Sequence, residues 1–217
     1  RDNASMSVSL KKPRIKRDEI CDTLRAEVLS GQWESNQPVR EHSLAERFGI
    51  SRGPIRDALL QLTQEGVLIY RQNKGVRVGS PPDKEDRDLL LKLRRDLEIH
   101  CLKKVLPNWN SGDDTLLNRL LENLKLACEK SDLPKVAESD LSIHRYWVSQ
   151  ASKEMEIIWL SITVRMRMAY SRLTNYMEIY QEHESIVDAI HRRDLQAAQS
   201  WINKNISGQI IIINIIR

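Results

Sequence analysis

The segment from residue 41 to residue 78 constrains the fold more than any other part of the chain. Its apolar residues recur at a helical period up to Gly49, and again from Ser51 to Gly66. Two short β-type runs follow, with the turn residues 72–75 between them. Two helices that are joined by a short glycine turn and followed by a β-hairpin are typical of a winged helix-turn-helix.

A further helical pattern over residues 17–30 precedes this segment, and together they predict an N-terminal domain over residues 15–79. We interpret residues 1–14 as a disordered arm or a remnant of non-native sequence. The Gly-Ser-Pro-Pro sequence at 79–82 removes backbone donors and favours extended geometry. It therefore predicts a linker over residues 80–84.

Charge and cysteine content narrow the classes of function. The net charge of +4 lies entirely within residues 1–80, whereas acidic and basic residues balance over residues 81–217. A basic excess confined to one small domain indicates a polyanionic partner. The 3 widely spaced cysteines exclude a disulfide scaffold. Because no apolar stretch approaches the roughly 20 residues of a membrane helix, we expect a cytoplasmic protein with no membrane partner.

The predicted second helix of the helix-turn-helix carries two arginines near its start. Arg52 and Arg56 are four residues apart, so they share a helix face, opposite the apolar stripe. Such a helix enters the major groove with its N-terminal residues leading, and arginine can bind guanine through two hydrogen bonds. The Ser51 hydroxyl can meet phosphate, and Lys74 and Gly75 suit the tip of the wing. The alternative is an ordinary solvated helix face.

Residues 85–206 show helical periodicity almost throughout, which predicts an all-α antiparallel bundle and a chain that is mainly α. Each predicted helix carries an apolar stripe that we expect to face the core. The stripes comprise Leu89, Leu90, Leu93, Leu97 and Cys101; Leu116, Leu117, Leu120, Leu121 and Leu124; Met155, Ile158, Trp159, Ile162, Met166, Ala169 and Leu173; and Ile186, Val187 and Ile190. The tail over residues 207–217 is rich in isoleucine, which favours β-structure, and stays unassigned.

Three residues of the bundle are candidate metal ligands. Asp140 and His144 are four residues apart, so both project from one face of a helix, and His183 lies on a later helix. One carboxylate and two imidazoles form a known set of ligands for a divalent metal. The alternative to metal binding is that these histidines lie at the surface or form hydrogen bonds in the core, and the residues alone do not decide between them.

The segment from Leu44 to Leu59, LAERFGISRGPIRDAL, resembles the GntR family of bacterial transcription regulators. The resemblance implies a DNA-binding role, with contacts from the second helix, the third helix and the wing. Gly53 stands where a threonine is common in that family, which removes one phosphate-binding hydroxyl. The implied DNA-contacting residues are Glu41, His42, Ser51, Arg52, Arg56 and Gly75.

The bundle resembles the FCD domain, the helical effector-binding domain of one GntR branch. Arg94–Glu98 matches its first-helix pattern, Asp140–His144 its metal motif, and Glu182–Ile190 the segment with the next histidine ligand. The resemblance implies a divalent metal such as zinc or nickel. Asn205 occupies the register at which many members have a final histidine, and an amide oxygen is a weaker ligand for such metals.

The same resemblance implies a small effector, a carboxylate, that completes the coordination of the metal. We expect an arginine to pair with a second charge on this effector, and the candidates are Arg94 and Arg165. Arg165 lies at the margin of the stripe that begins at Met155. The alternative for both arginines is a place at the edge of the bundle, with the charged group in water.

These observations predict a metabolite-responsive transcription regulator, a repressor, that binds a double-stranded operator as a homodimer and is not an enzyme. The helical domain is expected to bind the effector and to mediate dimerisation. Two alternatives stay open. One is a regulator without metal that binds an organic effector directly. The other, more remote, is a two-histidine-one-carboxylate metalloenzyme that uses Asp140, His144 and His183.

Overall fold

The computed structural model describes residues 17–167 and 175–214, the side chains of residue 167 and residues 208–214 excepted. The predicted arm over residues 1–14 lies outside them. The N-terminal domain comprises α1 (Arg17–Leu29), α2 (Glu41–Phe48), α3 (Arg52–Gln64), β1 (Leu68–Arg71) and β2 (Gly75–Val78). The second domain comprises α4 (Lys84–Val105), a short 3₁₀ turn (Leu106–Asn108), α5 (Ser111–Glu129), α6 (Leu133–Ala151), α7 (Lys153–Arg167), α8 (Tyr176–His191) and α9 (Leu195–Asn214).

The N-terminal domain is a winged helix-turn-helix, as predicted. The apolar stripe of α3 lies in the core, and α3 packs against α1 and α2. Helix α2 ends because Gly49 adopts a left-handed conformation, with φ of 65°, that an L side chain rarely tolerates. The turn that follows is short, so α3 starts at once with its N-terminus at the surface.

The wing is an antiparallel hairpin in which Leu68 pairs with Val78 and Arg71 with Gly75. The turn requires a positive φ at Asn73 and at Gly75. Its inner end is buried, whereas residues 70–75 are exposed. The hairpin thus projects from the domain beside α3.

The second domain is the predicted helical bundle. Helix α4 packs against α6, α7 and α9, whereas α5 packs against α6 and α8. The predicted stripe on α4 is wrong in part, because Leu89 and Leu93 are exposed. The inner face of α4 instead carries Arg94 and Glu98, both with 0% exposure, beside Cys101. The buried face is therefore shifted by one position, from the predicted Leu93 and Leu97 to polar residues that have partners inside the bundle.

The other predicted stripes are largely buried. Leu117, Leu121, Leu124, Trp159, Met166, Ile186, Val187 and Ile190 lie in the core. Leu116 and Ile158 were also expected there and are exposed instead. Ala169 and Leu173 lie outside the described residues.

Helix α9 continues through Asn214, so the isoleucine-rich segment is helical up to that residue although its composition favours a strand. The two domains contact each other, since α1 packs against α6. None of the helices in the described ranges is long and apolar enough to cross a membrane.

Candidate functional site

The N-terminal end of α3 presents polar groups to solvent. Ser51 occupies the N-cap position, but its side chain makes no capping hydrogen bond. Its hydroxyl and the first amides of the helix can therefore bind an anion. Arg52 and Arg56 are both exposed on the face opposite the buried Ile55 and Leu59. This surface can contact a phosphate backbone and base edges together.

Glu41 at the start of α2 holds one of these arginines. The Arg56 Nε donates to Glu41 Oε1 at 3.2 Å, and Nη2 donates to Oε2 at 3.1 Å. Two predicted DNA-contacting residues thus form one bidentate pair across the helix-turn-helix. His42, on the next position of α2, instead faces Glu46, with 3.2 Å between Nε2 and Oε1.

The wing tip adds an exposed cation, Lys74, beside the exposed Gly75. A β-carbon at Gly75 would have no atom within 4 Å, so the left-handed φ of 71°, not crowding, favours glycine there. The wing can therefore approach a nucleic acid through Lys74 and through its own backbone.

The three candidate ligands Asp140, His144 and His183 meet inside the bundle. The His183 Nε2 lies 2.6 Å from Asp140 Oδ1 and 3.0 Å from His144 Nε2, and the third separation is 3.5 Å. All three side chains are at most 1% exposed. Helix α6 supplies the first two from one face, as the spacing predicts, and α8 supplies the third.

The hydrogen bonds behind each imidazole fix its tautomer. The His144 Nδ1 lies 2.7 Å from Glu98 Oε2, and the His183 Nδ1 lies 2.7 Å from the carbonyl oxygen of Ile179. A carboxylate and a carbonyl only accept, so both Nδ1 atoms carry the proton. In the neutral imidazoles the two Nε2 lone pairs then point at each other and at the Asp140 carboxylate.

Glu98 is a further buried residue of the cluster, which the sequence pattern named only within a longer motif. Its Oε1 accepts from Arg94 Nε and from Trp159 Nε1, both at 2.8 Å. Burial alone raises the pKa of the Glu98 carboxyl, but its proximity to His144 and Arg94 outweighs burial and holds the pKa well below its usual value. Burial lowers the pKa of His144 to about 4, so that imidazole is neutral at pH 7.

Asn205 is buried beside the residue that precedes His183. Its Nδ2 donates to Glu182 Oε2 at 2.8 Å, and its Oδ1 has no hydrogen-bond partner among the described residues. Buried polar atoms are nearly always satisfied. An amide oxygen without a partner can act as a ligand, and the fourth position of the metal site stays a prediction for Asn205.

The two predicted effector-binding arginines lie apart. Arg94 is completely buried and belongs to the cluster through its ion pair with Glu98. Arg165 is only partly buried, and its aliphatic stem lies against Gly66 of the winged domain, 3.4 Å from where a β-carbon would stand. The prediction for Arg165 relied on the margin of an apolar stripe, and that margin faces the other domain.

Comparisons with known proteins agree with both halves of this arrangement. A family model described as "Bacterial regulatory proteins, gntR family" matches residues 16–78. A second model, the FCD domain, matches residues 89–207. The three candidate metal ligands, Arg94 and Asn205 lie within the second match.

Relatives and solved structures extend over most of the chain. The gluconate operon transcriptional repressor of Bacillus subtilis is 23% identical over 79% of this chain and 74% of its own. The transcriptional repressor RspR of Escherichia coli is 22% identical over 87% of this chain and 84% of its own. Among solved structures, Escherichia coli McbR/YncC has a TM-score of 0.74 and 20% identity, covering 93% of this chain and 98% of that one. A Rhodococcus regulator has a TM-score of 0.72 and 18% identity, with 93% and 99% covered.

Proposed function

We propose, from the premise that this chain belongs to the GntR family of bacterial transcription regulators and carries an FCD domain, that it is a repressor controlled by a small carboxylate. The family consists of transcription regulators, not enzymes. As a homodimer it would place two α3 helices on the half-sites of a double-stranded operator. Relatives that are named as repressors support the direction of regulation.

The observation that carries the DNA-binding part is the exposed N-terminal end of α3. Arg52, Arg56 and the uncapped Ser51 hydroxyl lie together at the end of the helix that enters the groove in this class of domain. Phosphate contacts from the helix start position the protein, and guanidinium contacts to base edges supply the specificity. The net charge of the first 80 residues favours the encounter.

Alanine substitutions at the two arginines test this part. We expect Arg52→Ala and Arg56→Ala each to reduce discrimination by about 1–3 kcal/mol at one base pair of each half-site. The measurement is fluorescence anisotropy with an operator duplex selected from random DNA and with a scrambled duplex. Arg119→Ala, at an exposed arginine of α5, is the matched control. If both duplexes lose the same affinity in the α3 variants, the arginines do not contact bases.

The convergence of Asp140, His144 and His183 supports a divalent metal in the helical domain. Two Nε2 lone pairs and a carboxylate oxygen within 3.5 Å of one another repel unless a cation lies among them. Bonds of about 2.0–2.2 Å to one tetrahedral ion place the ligand atoms roughly 3.3–3.6 Å apart. The 3.5 Å pair has this spacing already, and the 2.6 Å and 3.0 Å pairs would move apart on binding. Asn205 Oδ1 is available as a further, neutral ligand. The ion would act as a Lewis acid with open coordination positions.

The charge of the site favours an anionic effector. The imidazoles aside, Arg94 contributes one positive formal charge and Glu98 and Asp140 contribute two negative ones, so the cluster has one net negative formal charge. A divalent ion reverses that to one net positive charge in a buried, weakly screening environment. A small carboxylate on an open coordination position would neutralise it. Arg94 would stabilise such an anion from behind Glu98.

The alternative without metal replaces the ion by a proton. An imidazolium at His183 would donate from Nε2 to Asp140 Oδ1 across the 2.6 Å separation. The domain would then bind an organic effector directly. This arrangement predicts no stoichiometric metal and no change in stability on chelation.

Metal content decides between these two forms. We expect protein purified without chelator to contain about one zinc or nickel ion per chain. The His144→Ala variant is expected to lose this ion. Elemental mass spectrometry measures the metal content of both proteins. We also expect Asn205→His to tighten zinc binding by about tenfold or more, because an imidazole replaces a weak amide ligand. Asn203→His, on the same helix, is the control. An absence of stoichiometric metal, with no effect of zinc on thermal stability, supports the proton form instead.

A further inference from the structure

We infer that Glu98 is a positioning residue of the proposed metal site, whose carboxylate fixes His144 in the tautomer that leaves Nε2 free to bind an ion. The inference depends on the proposed metal site for its purpose. The position of the proton on the His144 imidazole can nevertheless be measured whether or not a metal binds.

The geometry around Glu98 leaves its carboxylate one orientation. Arg94 Nε and Trp159 Nε1 both donate to Oε1, which leaves Oε2 for His144 Nδ1 at 2.7 Å. The three donors come from three helices, α4, α7 and α6, so the carboxylate is held from three sides. A carboxylate behind a metal-binding histidine orients the ring and makes it more basic.

His183 differs in one respect that makes the inference testable. Its Nδ1 donates to the backbone carbonyl of Ile179, one turn earlier on α8, at 2.7 Å. No side-chain substitution removes that acceptor. The tautomer of His144 therefore depends on a replaceable side chain, whereas the tautomer of His183 does not, and the second histidine serves as an internal control.

Glu98→Gln is the most informative variant, because it reverses the direction of the hydrogen bond with His144 Nδ1 and hardly changes the shape of the side chain. Arg94 and Trp159 both need an acceptor at the position of Oε1, so the amide oxygen of the glutamine takes that position. Its NH₂ group then faces His144 Nδ1 and can only donate. His144 Nδ1 must then accept this hydrogen bond, so the imidazole carries its proton on Nε2 instead. An N–H group then lies where the ion would bind.

The test is a two-bond ¹H–¹⁵N correlation spectrum of metal-free protein at pH 7, with histidine labelled, followed by a calorimetric zinc titration. In the unsubstituted protein we expect His144 to carry its proton on Nδ1. In Glu98→Gln we expect the proton on Nε2, an unchanged His183, and zinc affinity lower by at least the 10- to 100-fold typical of lost partners behind a ligand. Glu156→Gln, at a buried carboxylate paired with Arg145 and Lys153 instead, is the control for loss of a buried charge.

Several results would overturn the inference. One is an Nε2 proton on His144 in the unsubstituted protein, which needs no variant and so does not depend on whether Glu98→Gln folds. Another is a Glu98→Gln protein with an unchanged tautomer and unchanged zinc affinity. If the unsubstituted protein takes up no zinc while the proton moves as expected, the positioning role stands and the proposed metal function fails.

Discussion

Glu41 is a predicted DNA contact whose carboxylate the structure places on a guanidinium instead. It holds Arg56 through two hydrogen bonds, with 36% of the Glu41 side chain and 68% of the Arg56 side chain exposed. Because the pair is at the surface, water screens it and it contributes little to stability. Its effect on DNA binding has two opposite parts. The pair would orient Arg56 for the proposed base contact, whereas the negative charge would oppose the approach of phosphate.

Glu41→Gln separates these two parts. We expect affinity for scrambled DNA to rise about two- to fivefold, because a negative charge near the phosphates is removed. Discrimination between operator and scrambled DNA is expected to fall by a similar factor, because Arg56 is less well oriented. Competition binding at two salt concentrations measures both. Glu46→Gln, one turn along α2, removes a carboxylate that does not hold Arg56, so a fall in discrimination there as well would contradict this account.

The residues of the proposed metal site show how far a sequence can specify a site. The spacing of Asp140 and His144 placed both on one helix face, and the structure agrees. No local pattern joins them to His183, which lies 39 residues from His144. The residue types made His183 a candidate, and the family resemblance supplied the segment in which a ligand is expected. Glu98 and Trp159 complete the cluster from two further helices. Their role depends on tertiary packing, which a pattern along one helix does not contain.

Among the helices, α3 and α4 show when apolar periodicity identifies the buried face. The core beside the middle of α3 is apolar, and the buried Arg25–Glu65 pair lies only at the C-terminal end of this helix. The stripe of Ile55, Ala58, Leu59 and Leu62 is therefore buried as predicted. The bundle interior beside α4 contains the polar cluster, so Arg94 and Glu98 occupy the inner face and displaced leucines are exposed. A prediction that counts only apolar residues selects the wrong face wherever the core itself is polar.

Helices α1 and α2 are joined by a partly buried ion pair with a defined pH dependence. Glu27 of α1 accepts hydrogen bonds from the guanidinium of Arg47 on α2 and from Trp33 Nε1. Burial alone raises the pKa of Glu27, but the bonds from Arg47 and Trp33 outweigh it, and the pKa lies below the usual 4.5. The unfolded chain therefore binds the proton first as the pH falls.

This pair predicts a loss of stability in acid. Its contribution is complete above about pH 5.5 and declines as the pH falls through 4.5 toward the lower pKa of the folded state. Glu27→Gln is expected to unfold about 1 kcal/mol more easily at pH 7 and to lose less stability between pH 7 and pH 4. Urea denaturation at a series of pH values measures the difference. Glu34→Gln, at an exposed glutamate, should keep the original pH dependence, and an equal slope in both variants would refute the assignment.

In the whole chain, α6 is the helix of the bundle that packs against α1 of the winged domain. One face of this helix carries Asp140 and His144, and the face that includes Leu141 packs on α1. Ala26 and Leu29 of α1 line the same groove as Leu141. A ligand in the bundle changes operator affinity only through a difference in its own binding between two states. We therefore expect a shift of α6 to reach the winged domain through its contact with α1.

Leu141→Ala tests this route. The variant keeps every proposed metal ligand and every proposed DNA contact, but removes most of a side chain that is 4% exposed at the α1–α6 contact. We expect a loss of about 2–4 kcal/mol in stability from the cavity. We also expect the ratio of operator affinities with and without zinc to move toward one, because α1 no longer follows α6. Anisotropy titrations with the operator duplex, in zinc and in chelator, give that ratio.

The control variant must lose a similar amount of stability to a new cavity and must leave the contact between the two domains unchanged. Leu124→Ala does so, since Leu124 is fully buried on α5, which packs on α6 and α8. It is expected to lose comparable stability and to retain the original ratio of affinities. If both variants retain the ratio, the coupling bypasses α1 and reaches α3 by another contact, such as that of Arg165 with Gly66. If both lose it equally, general loosening of the bundle is the cause, and the specific role of Leu141 is excluded.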